Sequence, residues 1–417
     1  MKTFDKLGIN EKLINGLLKQ NITEPTKVQS LTIEKIIENK DLLVNSETGS
    51  GKTLAYLLPM FEKIDTTKRD TQVLVLAPTH ELVMQISNEA KLLAENSGID
   101  VTTFAVIGEV NIQKQIKNIK SIKPHIVVGT AGRLLDLIQQ RKLKVHEVKT
   151  IILDEVDSLV SSKGEAIVEK IIKTTLRDRQ LLGFTASLDN KAESFCDYMM
   201  KEMEVIKAND ESVINPNINH MYIYGERREK FTILRKALSS AKAKRAIVFV
   251  NDEDSIEVIN EKLNYHKYKS VCISGKMTKE DRKNAMTSFR NGKANILVSS
   301  DLSARGLDIP DVSHIFNLDF PGSKNEYLHR CGRSARGKNK GTAISIVTNQ
   351  NLGTIRDYKR QFKINMKAVE LKEGNFVDVD FKALKKKSKE KKEFKGNKES
   401  KIKKEFKSKK ENKPKDK

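Results

Sequence analysis

The sequence predicts an α/β protein built from two tandem parallel-sheet domains followed by a disordered basic tail. Three observations carry this expectation. Short apolar runs bounded by Gly, Pro, Thr or Asp alternate with longer segments of helical spacing, the rhythm of a parallel sheet covered on both faces. The rhythm breaks in a polar stretch at 208–220, ANDESVINPNINH, and then restarts. After about Leu371 it dissolves into lysine-rich low complexity, with too little apolar surface to offset the entropy of ordering.

Taken in order, the runs DLLVN (41–45), TQVLVLAPT (71–79), VTTFAVIG (101–108), HIVVGT (125–130), TIILDE (150–155) and LLGFTA (181–186) read as buried strands of the first unit. Between them lie amphipathic stretches such as ELVMQISNEAKLLAE (81–95). The second unit repeats the pattern with AIVFVN (246–251), SVCIS (270–274), NILVSS (295–300), HIFNLD (314–319) and GTAISIVT (341–348). The expected organisation is an entry region over 1–30, a first domain over 31–208, a linker over 209–219, a second domain over 220–371 and a tail over 372–417.

Composition narrows the function classes. The chain has 417 residues, with 77 Lys and Arg against 55 Asp and Glu, a net charge of +22. Its last 33 residues hold 17 Lys and 6 acids, so half the excess charge lies in the tail and points to a polyanionic partner. No apolar run has the roughly 18 residues a membrane span needs, and the N-terminus has no signal-peptide pattern. Cys196, Cys272 and Cys331 form neither a disulfide framework nor a zinc spacing. The expectation is a soluble cytoplasmic protein.

The sharpest local signal is Ser46-Glu47-Thr48-Gly49-Ser50-Gly51-Lys52-Thr53, lying between a strand and the helical TLAYLLPMFEKI. This is the setting of a phosphate-binding loop. Its glycines let backbone N–H groups converge on phosphate oxygens, helped by the positive end of the following helix. Lys52 would neutralise the β- and γ-phosphates, and Thr53 would ligate Mg²⁺. A second acidic strand end follows TIIL: Asp154 would position the metal, and Glu155 would orient and deprotonate the attacking water. The pair points to nucleoside triphosphate hydrolysis, with Mg²⁺ as the expected metal.

In the second unit, Arg330, Arg333 and Arg336 recur every three residues, a spacing that places them near one face of a helical turn. Arginines from a neighbouring module suit the charge that develops in phosphoryl transfer. Upstream, Ser300 to Asp308 follows a strand and mixes acid and base.

With these residues assembled, the chain resembles the DEAD-box RNA helicases over about residues 4–350, in the family's motif order. Pro25 to Gln29 resembles the adenine-reading Q motif, with Gln29 toward the base and Phe4 as the upstream aromatic. Ser46 to Thr53 resembles motif I, Pro78 to Leu82 motif Ia, and Gly129 to Leu134 motif Ib. Asp154-Glu155-Val156-Asp157 stands for D-E-A-D, and Thr185-Ala186-Ser187 for S-A-T. Val248 to Val250 resembles motif IV, Ser288 to Gly292 the F-R-x-G string, Ser300 to Asp308 motif V, and His329 to Arg336 motif VI.

The resemblance implies two RecA-like domains that close around ATP and RNA. It places Arg333 and Arg336 at the γ-phosphate and Asp308 at the ribose. Asp157, Thr185, Ser187, Arg305 and His329 would couple the domains. Thr79, Gly108, Thr130, Arg133, Arg290 and Ser300 would hold the RNA backbone. Closure would pry a short duplex apart, and hydrolysis would reopen the cleft. A monomer is expected.

Departures from the pattern fall mainly on the RNA side. Val156 replaces Ala, Thr185 and Ser187 exchange their hydroxyl types, and Asn21 stands where Gly is common. His80 replaces an Arg, Ala131 a Pro, and Glu109 a Gly. Losing a fixed positive charge and adding a carboxylate both weaken a phosphate grip, so the ATPase apparatus reads as whole and the RNA grip of the first domain as reduced. Three functions follow: an RNA helicase, an ATP-gated RNA clamp or annealing chaperone, and a duplex-DNA translocase. Gln29 and the arginine string argue against the last. The lysine-rich tail is expected to tether structured RNA.

Overall fold

A computed structural model of the protein describes residues 3–47, 49–108, 110–160, 164–208, 215–300, 312–335 and 339–380. The first sheet contains β1 (Leu42–Asn45), β2 (Val73–Leu76), β3 (Thr103–Val106), β4 (Ile126–Gly129), β5 (Thr150–Asp154), β6 (Gln180–Thr185) and β7 (Glu204–Lys207). They pair in the order β3-β4-β2-β5-β6-β1-β7, every ladder parallel. Helices α1 (Glu11–Leu18), α2 (Lys27–Ile37), α3 (Lys52–Lys63), α4 (His80–Ser97), α5 (Ile112–Ile122), α6 (Ala131–Gln139), α7 (Val156–Leu159), α8 (Glu165–Lys173) and α9 (Asn190–Met199) cover it.

Successive side chains of a strand point to opposite faces, and the two cores of this domain follow that rule. Leu42, Val44, Val73, Val75 and Ile152 belong to one hydrophobic cluster, while Leu43, Leu74, Leu76, Ile151 and Leu153 belong to the other. A sheet buried on both faces has near-continuous apolar strands, which is why these runs stand out in the sequence.

The second sheet contains β8 (Ile218–Tyr224), β9 (Ala246–Phe249), β10 (Ser270–Ile273), β11 (Ile296–Ser299), β12 (His314–Asn317), β13 (Gly341–Val347), β14 (Met366–Lys372) and β15 (Asn375–Asp378). Their order is β10-β11-β9-β12-β13-β8-β14-β15, with only the β14–β15 ladder antiparallel among the described residues. Around it lie α10 (Lys230–Ala241), α11 (Glu253–Tyr265), α12 (Lys279–Arg290), α13 (Lys324–Cys331) and α14 (Leu352–Gln361). Two clusters again share alternate strand residues, with Ile247, Phe249 and Leu297 on one face and Ala246, Val248, Ile296 and Val298 on the other.

Two boundaries differ from the sequence expectation. The linker expected over 209–219 is shorter, because β8 begins at Ile218. The second domain does not end at Leu371: Glu373 and Gly374, at φ 50° and 77°, turn the chain back into β15. Two consecutive left-handed residues make the tight turn that suits hairpin twist. Both differences, like the unanticipated β7, lie toward one end of a sheet, where strands are covered less completely. β7 and β15 show mostly half-buried or exposed positions, so their sequences carry no apolar run. Among the described residues no helix is long and apolar enough to cross a membrane.

Candidate nucleotide and nucleic-acid sites

All strands of the first sheet run the same way, so their carboxyl ends form one edge, where ligands of open α/β sheets bind. The β5-β6-β1 part of that edge carries the phosphate-loop residues. Ser46 donates its N–H to the Thr185 carbonyl at 2.9 Å, tying the loop's start to β6. Gly49 and Gly51 sit at φ 82° and 94°, a region that favours glycine. A Cβ on Gly51 would also come within 2.6 Å of Gln29 Nε2. Lys52 opens α3, and its Nζ donates to the carbonyls of Ser46 (2.7 Å) and Glu47 (3.1 Å). Burial pulls its pKa down; Asp154, Glu155 and Asp157 push it up, while Arg333 of the second domain pulls it down.

Gln29 reaches the loop from α2. Its Oε1 accepts from the Thr26 N–H at 2.9 Å, closing the helix's capping box, and its Nε2 donates to the Gly51 carbonyl at 3.0 Å. Phe4 lies elsewhere than in an open cleft: it is 3 % exposed and packs in the core with Leu7 and Ile33. The structure therefore gives its ring a packing role.

Asp154 ends β5 and is buried. Its Oδ2 accepts from Tyr56 Oη at 2.9 Å and its Oδ1 from the Glu155 N–H at 3.0 Å. Burial pushes its pKa up to about 6, against the pull of the Lys52 charge. Glu155 turns from β5 into α7 with φ 55°, a conformation that costs about 1 kcal/mol or more in a non-glycine residue. Its Oε2 is buried and has no hydrogen-bond partner. Oxygen donors at Thr53 and Asp154 suit a hard divalent cation that takes most of its other ligands from water and phosphate.

The second domain completes this edge. Asp157 accepts from Thr185 Oγ1 at 2.8 Å through Oδ1, while its Oδ2 lies 3.5 Å from His329 Nε2 across the domain boundary. Both side chains are almost fully buried. Ser187 donates its hydroxyl to Asn325 Oδ1, also across the boundary, and Asn325 Nδ2 reaches Asp189 Oδ2 at 3.4 Å.

Arg330 and Arg333 do not share one helical face. α13 stops at Cys331, with Gly332 as its C-cap, so Arg330 and Arg333 leave the chain in different settings. Arg330 is locked inside its own domain, donating to the Asp319 carbonyl (2.8 Å) and Asn251 Oδ1 (2.7 Å) over the Phe249 ring. Arg333 is buried near enough to Lys52 for its charge to act there. Thr48, Glu109, Arg305, Asp308 and Arg336 lie outside the described residues.

The neighbouring β3-β4-β2 part of the same edge gathers the expected RNA contacts. Gly108, Thr130 and Thr79 each follow one of these adjacent strands. Thr79 caps α4 by accepting from the Leu82 N–H at 3.3 Å. Arg133 donates to the carbonyls of Val110 (3.0 Å) and Gly108, bracing the loop after β3. On the second sheet, Ser300 follows β11 and donates to Glu253 Oε1 at 2.7 Å. Arg290 closes α12, and its carbonyl accepts from Arg245 Nη2 at 3.2 Å.

Two residues with no motif signal also act here. Glu253 opens α11 and holds both Ser300 and the Gly275 N–H (3.0 Å). Arg282, on α12, meets Glu81 of α4 at 2.5 Å with both side chains about one-fifth exposed. That ion pair bridges the domains beside the expected RNA path.

Comparison with known proteins gives a consistent result. Residues 26–195 match the DEAD/DEAH box helicase family, and residues 229–338 match the helicase conserved C-terminal domain. The chain is 38% identical over 372 residues to the DEAD-box ATP-dependent RNA helicase CshC of Bacillus cereus, covering 88% of this chain and 94% of that one. It is 32% identical over 366 residues to CshA of Geobacillus kaustophilus, covering 88% and 78%. Among solved structures, Saccharomyces cerevisiae Dbp5 bound to RNA and ADP BeF3 matches with a TM-score of 0.81 at 25% identity, over 88% of this chain and 96% of that one.

Proposed function

The chain belongs to the DEAD/DEAH box helicase family of ATP-dependent RNA helicases, and from that premise we propose that closure of its two sheets completes one hydrolytic site and one RNA path together. The observation that carries this reading is the buried contact of Asp157 with His329, beside an Arg333 whose charge acts at Lys52. Neither domain holds the full set alone. The match to Dbp5 with RNA and ADP BeF3 supports the same closed arrangement.

In the proposed reaction, the loop from Ser46 to Thr53 cradles the phosphates of ATP and Lys52 moves from loop carbonyls to phosphate oxygens. Thr53 and Asp154 are the oxygen donors that would hold Mg²⁺, which offsets phosphate charge when bound. Glu155 uses its unpaired carboxylate oxygen to orient water and take its proton. Arg333 and Arg336 stabilise the charge that develops on the γ-phosphate. Gln29 links adenine recognition to the loop through Gly51, and Asp308 meets the ribose. Thr79, Gly108, Thr130, Arg133, Arg290 and Ser300 line the RNA backbone path.

ATP and RNA each favour the closed state, so each raises the other's affinity by the same factor. A closed cleft that admits a bent single strand excludes a straight duplex, and closure separates short duplexes. The protein works as a cytoplasmic monomer, with its lysine-rich tail tethering structured RNA.

Steady-state ATPase of the full chain, alone, with RNA and with DNA, tests the proposal. Strong stimulation by RNA but not DNA is expected. Hydrolysis indifferent to RNA would mean that the changes at His80 and Glu109 have cut the coupling, and the clamp reading would replace this one.

A further inference from the structure

Helix α13 of the second domain meets the first domain at two points one turn apart. Asn325 and His329 stand four residues apart on it, a spacing that puts both side chains on one face. His329 Nε2 lies 3.5 Å from Asp157 Oδ2. Asn325 lies outside every motif string, yet its amide makes two contacts with the first domain. Its Oδ1 accepts the Ser187 hydroxyl, and its Nδ2 donates to Asp189 Oδ2 at 3.4 Å.

The two points are joined inside the first domain. Thr185 Oγ1 donates to Asp157 Oδ1 at 2.8 Å and accepts from the Ser187 N–H at 3.1 Å. A continuous path therefore runs from His329 through Asp157, Thr185 and Ser187 to Asn325, and one turn of α13 closes it. Both ends are held by their own domains. Ser323 caps α13 by accepting from the Glu326 N–H at 3.2 Å, and Glu326 Oε2 accepts from the Gly322 N–H at 2.7 Å. Asp189 caps α9 by accepting from the Ala192 N–H at 2.7 Å through Oδ1, and turns Oδ2 to Asn325. Groups fixed before they meet lose little entropy on meeting. An amide also suits both neighbours, because it offers an acceptor to the hydroxyl and a donor to the carboxylate.

We propose that Asn325 is a positioning residue that selects the closed state. Through Ser187 and Thr185 it holds Asp157 toward His329, and so brings Arg333, four residues beyond His329, to the nucleotide site. The inference rests on the closure reading above and adds the second-domain residue on which the Thr185-Ala186-Ser187 segment acts. It also gives Asp189 a part in closure besides capping its helix.

Asn325→Asp in the full chain separates this role from a merely structural one. An acid in the first turn favours the helix itself, so denaturant unfolding should show stability kept or slightly raised. Closure should nevertheless weaken, because two carboxylates then face each other at 325 and 189. In steady-state ATPase titrated with single-stranded RNA, the RNA concentration for half-maximal activity should rise about tenfold. Turnover at saturating RNA should stay near that of the unaltered chain, because bound RNA restores the closed population. D189N/N325D exchanges acid and amide, keeps a capping side chain at 189, and should recover most of the loss. An unaltered chain indifferent to RNA would overturn the closure reading and this inference with it. If the unaltered chain is stimulated but N325D behaves identically, or the exchange recovers nothing, this inference alone is overturned.

Discussion

Glu155 holds a left-handed backbone and an unpaired carboxylate oxygen at the same position, and strain of that kind persists where function over-determines it. Replacing the carboxylate by an amide keeps the shape and removes the base. Glu155→Gln should leave ATP affinity within about twofold and lower turnover by about 10²-fold or more, measured by nucleotide titration beside steady-state ATPase. Surviving turnover would move the base elsewhere. Around it, Asp154 and Lys52 were legible because an acid after an apolar run and a lysine in a glycine loop are local signals. Spacing alone did not separate the three arginines, although the family resemblance set Arg333 and Arg336 apart from Arg330. Regular spacing suggested one face for Arg330, Arg333 and Arg336, but Gly332 ends the helix and sends Arg330 into its own core. Phe4 packs with Leu7 and Ile33, and an aromatic near a motif looks the same in sequence whether it stacks on a base or packs in a core.

Among the elements, the central strands were readable and those at one end of each sheet were not. β8 mixes buried, half-buried and exposed positions and carries polar Asn219 and the buried polar His220 near its start, so it lacks the full apolar run of a strand covered on both faces. That histidine also makes stability depend on pH. Its pKa is lowered to about 4 in the folded chain by burial, against about 6.5 when unfolded. Between those values the unfolded chain binds the extra proton, so stability falls as pH drops from about 6.5 to 4, by roughly 2–3 kcal/mol. Denaturant unfolding across that range should show the slope, and His220→Gln should flatten it; an equal slope in the variant would place the proton elsewhere. The β14–β15 hairpin also decides where the tail can be cut. Truncation after Leu371 would remove β15, whereas truncation after Asp380 leaves the hairpin whole. Removing 381–417 should then raise the RNA concentration for half-maximal ATPase several-fold at low salt, and an unchanged value would end the tethering role.

At the scale of the whole molecule, closure rests on a few contacts of long sequence separation. Arg282–Glu81, Ser187–Asn325 and Asp157–His329 each join one domain to the other. The first lies beside the RNA path and is open to a charge-swap test. Arg282→Glu should raise the RNA concentration for half-maximal ATPase by about three- to tenfold, the scale of a half-buried pair worth roughly 1 kcal/mol. The E81R/R282E double variant should recover most of that loss, whereas no recovery would mean the pair does not support closure.

What the sequence determined by itself is local: the alternation that makes two buried parallel sheets, the glycines that a phosphate loop needs at positive φ, the acids that follow β5, and the excess lysine beyond the second domain. These follow from neighbours a few residues apart, whose burial and backbone conformation are written in periodicity and residue type. Only the tertiary structure decided that Arg330 turns into its own domain, that Glu253 holds Ser300, that Arg282 meets Glu81, and that β15 extends the second sheet. Each depends on which faces of distant elements meet, and a charged residue on a helix surface has the same sequence appearance whether it faces solvent, its own core or another domain.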